Sequence, residues 1–215
     1  MCTQFDPPKA AEGLVDRKTT ALLADLGERL LLCALAVPWL IAFFRFLPQN
    51  PGLITAILSE GTMVVFILIR KPGQIALTPY AFSIGFIGTA LTLFVRPDQA
   101  THVGAISEAV MLAGFFLSIS SKLALNRRFG IVAANRGIQT RGPYGLVRHP
   151  IYAGYFITQI GFLMASPTLR NFCIYAVAFF FQLLRIYEEE RVLGEDEEYR
   201  RFAQKVRYRL LPGVF

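Results

Sequence analysis

The stretch Arg141-Gly-Pro-Tyr-Gly-Leu-Val-Arg-His-Pro-Ile-Tyr-Ala-Gly154, answered later by Arg185-Ile-Tyr-Glu-Glu-Glu190, decides how this chain is read. Between the two runs lies apolar sequence turned once at Ser166-Pro167-Thr168, so the polar clusters sit at the two ends of a helical hairpin. Pro143 and Pro150 lock their own φ and push Gly142 and His149 out of the helical region. Tyr144, Arg148, His149 and Tyr152 are therefore expected on a bent, defined backbone at the mouth of an apolar helix. Arg185 and Glu189 are four residues apart and share one helix face. A hairpin returns its second end to the side where it began, so one pocket should receive a guanidinium, a carboxylate, an imidazole and two phenols. An ordinary salt-bridge cluster accounts for the charges alone, but few structural roles need that mixture. Beside a bilayer such groups are costly unless something binds there.

Outward from the hairpin the chain is apolar. Of 215 residues, 54% are hydrophobic and 17% charged, with a mean hydropathy of +0.46. Soluble domains carry about 25% charged residues, so the composition points to an all-α, polytopic membrane helix bundle. About six segments approach the roughly 20 residues needed to cross a bilayer: 21–47, 53–69, 75–95, 103–125, 151–165 and 168–187, the fifth being short. Residues 1–20 are expected as a flexible tail, 21–125 as four membrane helices, and 126–215 as a core of loop, hairpin and carboxyl-terminal helices. Past Tyr187 the sequence turns polar, and a pair of helices against the membrane face is expected. The apolar Leu210-Leu211-Pro212-Gly213-Val214-Phe215 should pack back on them.

Charge sets an orientation. The loop after residue 125 holds Arg127, Arg128, Arg136, Arg141 and Arg148 and no acid. With six segments this loop, the Arg70-Lys71 turn and both tails fall on one side, which the positive-inside bias makes cytoplasmic. Both termini are then cytoplasmic, in a bacterial inner membrane or its equivalent. The net charge of +7 needs no nucleic acid. Cys2, Cys33 and Cys173 are scattered, and no HExxH or histidine–cysteine cluster occurs, so no metal is expected. Gly85 and Gly88 lie in an apolar segment with no preceding strand and read as helix packing, not as a phosphate loop. Glu60 and Glu108 lie inside segments, where pairing with neighbouring polar groups, Arg96 for Glu108, is expected.

Gly142-Pro143-Tyr144, Val147-Arg148-His149-Pro150, Tyr152 and Gly154, then the hairpin, Arg185, Glu188-Glu189-Glu190 and Glu197-Glu198-Tyr199 resemble the isoprenylcysteine carboxyl methyltransferase family. The broader pattern is shared with membrane phospholipid N-methyltransferases. The resemblance covers about residue 126 to the end. It implies an integral-membrane methyltransferase using S-adenosyl-L-methionine on a lipophilic or lipidated acceptor, most simply the carboxylate of a prenylcysteine-like molecule. It also implies cofactor contacts at Arg136, Gly137, Ile138, Gln139, Tyr144, His149, Pro150, Ile151, Tyr152 and Glu189. Arg185 matches the substrate-carboxylate position, and Arg185, Glu189 and His149 form the catalytic group. Alternatives left open are phospholipid amine methylation, a nicotinamide-dependent membrane reductase and a non-catalytic lipid-binding protein. An amine acceptor would require His149 or a glutamate to take a proton, whereas an ionised carboxylate needs no base.

Overall fold

A computed structural model of the chain describes residues 9–69, 74–75, 79–125, 134–135 and 139–213. In chain order these form α1 (Lys9–Phe46), α2 (Leu53–Ile69), β1 (Gln74–Ile75), α3 (Pro79–Ala90), α4 (Ala105–Leu125), β2 (Ala134–Asn135), α5 (Pro150–Ala165), α6 (Leu169–Leu193) and α7 (Glu197–Lys205). Single 3-10 turns follow α3 at Leu91–Phe94 and precede α5 at Gly142–Gly145. The protein is helical, as expected. Among the described residues the one departure is a two-residue antiparallel pair, Gln74 opposite Asn135 and Ile75 opposite Ala134.

Among the described residues, three helical stretches are long and apolar enough to cross a membrane: Asp25–Phe46, Ala105–Leu125 and Leu169–Leu193. Their most apolar windows are only 22% to 28% buried, and Ile41, Phe44, Ile106, Phe116, Phe172 and Phe180 face outward. Water would not tolerate that much bare apolar surface, and lipid does. Three shorter apolar helices, Leu53–Phe66, Ser83–Phe94 and Pro150–Ala165, pack among them. At about 1.5 Å per residue, α5 reaches about 24 Å, short of the roughly 30 Å hydrocarbon core.

Several boundaries differ from the sequence reading for identifiable reasons. α1 starts at Lys9, inside the expected flexible tail, because no proline interrupts 9–20 and Ala10, Ala11, Glu12 and Leu14 favour helix. The third segment is not one even helix. Thr89 and Thr92 donate their hydroxyls to Gly85 O and Thr89 O, and Arg96 donates to Leu93 O and Val95 O, drawing the last turn into 3-10 form. Arg96 is thus spent on main-chain carbonyls, not on Glu108. The expected helix pair after Tyr187 is corrected: α6 runs on to Leu193, since Glu188–Arg191 contain no breaker. Only α7, capped by the Asp196 carboxylate accepting from Glu198 N, is a separate helix.

The packing of the last two long elements was also not legible. α5 packs chiefly on α4, and α6 chiefly on α3, so the hairpin arms touch little along their length. Close approach of α4 and α5 depends on bare backbone: a Cβ on Gly114 would lie 2.4 Å from Thr158 N, and one on Gly154 2.6 Å from Ser118 N. Gly161 does the same against Met111. Gly154, the last residue of the quoted motif, is thus a packing residue. Gly88 serves α3 against α6, where its Cβ would meet Phe181 at 3.1 Å. α1 and α2 then close the bundle through Trp39, Phe43, Leu53 and Phe162, with the Trp39 and Phe43 rings stacked at 4.2 Å.

Candidate active site

The polar ends of α5 and α6 do meet, and the loop before α5 is shaped for it. Gly142 has φ of 66°, open to glycine, and Pro143 enters the 3-10 turn at its start. His149 sits at φ −125° and ψ 59°, outside the helical region, with Pro150 as the first residue of α5. This bend is pinned by the carboxyl-terminal strand of chain. Arg148 N donates to Tyr208 O and His149 N to Arg209 O, both at 2.9 Å. Leu210 completes the anchor by burying itself against Ile151, Tyr152 and Ile186.

Two carboxylates organise the side chains. Glu189 Oε1 accepts from Tyr152 Oη at 2.5 Å and from Arg185 Nε at 3.2 Å, while its Oε2 lies 3.7 Å from His149 Nδ1. Glu190 Oε1 lies 3.1 Å from His149 Nε2, 3.2 Å from Arg148 Nε and 3.3 Å from Tyr199 Oη; its Oε2 accepts from Arg209 Nε at 2.6 Å. His149, 5% exposed, therefore bridges the two acids. Arg185, 7% exposed, also donates from Nη1 to Thr89 Oγ1 at 3.4 Å. Its guanidinium carbon stands 5.1 Å from the centroid of the Tyr152 ring. A weakly hydrated cation is thus cradled by one aromatic face and one carboxylate.

The remaining expected residues divide. Ile151 is core under the site, packed with Tyr152 and Leu210. Tyr144 is buried beside Tyr199 and Phe202; burial pushes its phenol up, and the nearby Glu189 charge adds to this. The same two causes, burial and then the Glu190 charge, push up Tyr199. Gln139 turns its amide to Ala124 O at the end of α4 and accepts from Thr140 N and Arg141 N, which makes its side chain a cap for that helix. Arg136, Gly137 and Ile138 lie outside the described residues.

Glu190, Tyr199 and Arg209 were missed as site residues. Glu190 stood in the acidic run but was not separated from its neighbours, although Arg185+4 picks Glu189 and His149 needs a second partner. Nothing local marks Arg209. It reaches the site because the tail doubles back, which only the apolar Leu210-Leu211 hinted at. Lys122 was also missed. It is fully buried near the end of α4, donates to Thr62 Oγ1 at 2.8 Å, and stands 4.8 Å over the Tyr155 ring.

Such a cluster of paired charges, at one end of a bundle whose long helices are apolar enough to cross a membrane, is covered by the carboxyl-terminal tail. Residues 119–195, from late α4 through α6, match the model of the isoprenylcysteine carboxyl methyltransferase (ICMT) family. The resemblance read from the motifs is borne out there. The match begins a few residues before the motif-bearing loop and ends at Glu195, leaving Tyr199 and Arg209 beyond it. No curated protein matches the chain.

Proposed function

We propose that the protein is an integral-membrane, S-adenosyl-L-methionine-dependent methyltransferase that methylates the carboxylate of a lipophilic, prenylcysteine-like acceptor. One observation carries this reading: Tyr152 and Glu189 together already hold a soft, delocalised cation, the Arg185 guanidinium. A sulfonium asks for the same surroundings, an aromatic face and a carboxylate without a hydration shell. The donor set therefore fits the cofactor, whose part is to present an electrophilic methyl group. Tyr152, Glu189 and His149 would hold its cationic and polar portions, with the Pro150–Ile151 turn as the wall.

Arg185 offers a planar fork to the acceptor carboxylate. Glu189 and Thr89 fix that fork from two sides, so its direction is set before an acceptor arrives. His149 is engaged by both acids, and Glu190 by Arg148 and Arg209 besides. Among the described residues His149, Glu189 and Glu190 are all committed to ion pairs or hydrogen bonds, which favours an acceptor already ionised. Enclosure by the tail keeps water from the reacting atoms.

The acceptor's lipid part has a matching surface. An apolar cavity of about 270 Å³ lies between α5 and α6, lined by Ala153, Phe156, Phe179, Leu183, Tyr187, Leu210 and Leu211. It adjoins the site through Ala153 and Leu210. In this reading α2, α3 and α5 cross the bilayer with the three longer helices, which places both termini on the cytoplasmic side with the arginine-rich loop.

Calorimetry on the detergent-purified chain tests the proposal. S-adenosylhomocysteine is expected to bind at micromolar affinity, and Glu189→Ala or His149→Ala to weaken it at least tenfold, about 1.4 kcal/mol. Arg185→Ala should abolish labelled-methyl transfer to a farnesylcysteine analogue while retaining most cofactor-product binding. A wild-type protein that ignores that analogue but methylates a phospholipid amine would overturn the carboxylate assignment.

A further inference from the structure

Tyr152, Tyr155 and Gln159 follow one another on α5 at helical spacing, and Glu189, Arg185 and Gln182 do the same on α6 read in reverse. The arms run antiparallel, so the two series face one another across a shared space running into the bundle. The outermost rung, Tyr152 with Glu189, is hydrogen-bonded. The innermost is not. Among the described residues nothing accepts from Gln159 Nε2, nothing donates to Gln182 Oε1, and Tyr155 Oη has no partner. These side chains are buried to 5%, 6% and about 8% residual exposure. All three line one chamber directly beneath Arg185, closed by Glu60 and Met63 of α2, by Gly88 and Thr89 of α3 and by Thr92 of the 3-10 turn that follows it.

Each buried polar group left unpaired costs about 1–3 kcal/mol, and leucine at Gln159 or Gln182 would remove that cost at similar volume. Lys122, which is not part of the chamber wall, stands 4.8 Å over the Tyr155 ring that is. Polar groups kept at this depth in a membrane bundle mark ligand paths. The free space is about 20 Å³, enough for one water-sized polar group and too small for a phosphate or a methylated ammonium. Its lining offers donors from Gln159 and Tyr155 and an acceptor from Gln182.

We propose that this chamber is the inner half of the acceptor site, taking one hydroxyl group that the acceptor carries beside the carboxylate held by Arg185. This rests on the methyltransferase reading above. A guest that offers both a lone pair and a proton satisfies the innermost rung; an alkyl or ether substituent leaves it unmet. Gln159 and Gln182 are then specificity-determining residues, selecting acceptors by a group that is not methylated.

Equilibrium binding to the full chain in detergent, with two probes, tests this. 2-Hydroxy-3-(farnesylthio)propionate bears a hydroxyl beside its carboxylate, and 3-(farnesylthio)propionate is the same acid without it. The wild type should prefer the first at least tenfold. Gln159→Leu and Gln182→Leu should each cut that preference below threefold, leave S-adenosylhomocysteine affinity unchanged, and keep or raise the melting temperature. A purely structural glutamine pair would instead lower the melting temperature and leave the preference intact. A wild type that binds S-adenosylhomocysteine and both acids without preference overturns this inference alone; one that binds S-adenosylhomocysteine but neither acid overturns the carboxylate-acceptor assignment with it. A wild type that binds no S-adenosylhomocysteine overturns the methyltransferase reading as well.

Discussion

At the end of the bundle away from the site, neutral groups tie loops to one another. Asn171, fully buried, donates to Arg96 O at 3.0 Å and Ser166 Oγ at 3.2 Å and accepts from Arg96 N. Thr101 donates to Ser166 Oγ at 3.0 Å, His102 N to Ala165 O, and Val103 N to Asn50 Oδ1. At the site end the partners are charged side chains paired with each other: Arg148, His149, Arg185, Arg209, Glu189 and Glu190. A fold needs its buried backbone groups satisfied, and amides and hydroxyls do this at little desolvation cost. Buried charges are a dear way to obtain the same closure, because breaking even comes only with full pairing. The far end is therefore built for stability, and the site end tolerates expense for what it binds.

The largest effect should come from the scaffold that carries the site. Gly154→Val puts carbon within about 3 Å of Ser118 N and Gly114 O, main-chain atoms that cannot swing aside. Overpacking of a well-packed contact costs about 1–3 kcal/mol where side chains can adjust, and here backbone must move. We expect loss of the monodisperse detergent peak. Normal elution with normal S-adenosylhomocysteine binding would show that α4 and α5 need not approach as described.

The comparison of ends is tested most directly by Asn171→Ala. Removing this amide leaves Arg96 N and O without their partner, at a cost of about 2 kcal/mol. The melting temperature should fall by several degrees while S-adenosylhomocysteine affinity changes less than twofold. Glu189→Ala should show the reverse weighting, with affinity lost before stability. If both variants lose affinity in step with stability, the two ends are not separable in the way their chemistry implies.

The helical fold was legible because span-length apolar runs are punctuated by Pro48, Pro72, Pro97 and Pro167, and punctuation of that kind is local. The meeting of Tyr152 with Glu189 was legible too, since a hairpin must return its end to its start. Partner choice was not. That α5 packs on α4 and α6 on α3 depends on Gly114, Gly154, Gly161 and Gly88, whose importance appears only when two backbones come close. Glu190 and Arg209 were illegible for a related reason: their roles come from a tail that crosses the motif from outside it. The chamber beneath Arg185 needed Gln159 and Gln182, on different helices, to line one space, and neither carries a charge that would draw the eye in an apolar segment.

The smallest effect is expected at Arg209. Its Nε lies 2.6 Å from Glu190 Oε2 and its guanidinium stands 5.3 Å from the Tyr187 ring, but the side chain is 31% exposed and solvent screens the pair. Exposed pairs of this kind are worth about 0–1 kcal/mol. The tail is held besides by the main-chain bonds to Arg148 and His149 and by Leu210 in the core. Arg209→Ala should therefore cost under about 1 kcal/mol in stability, and less in high salt. Its effect on S-adenosylhomocysteine should be larger than its effect on melting, because Glu190 then leans on His149 and Arg148 alone and pulls the imidazole away from Glu189. Equal, small losses in both measurements would mean that the tail closes the pocket by its backbone and that the arginine at its end is ornamental to the site.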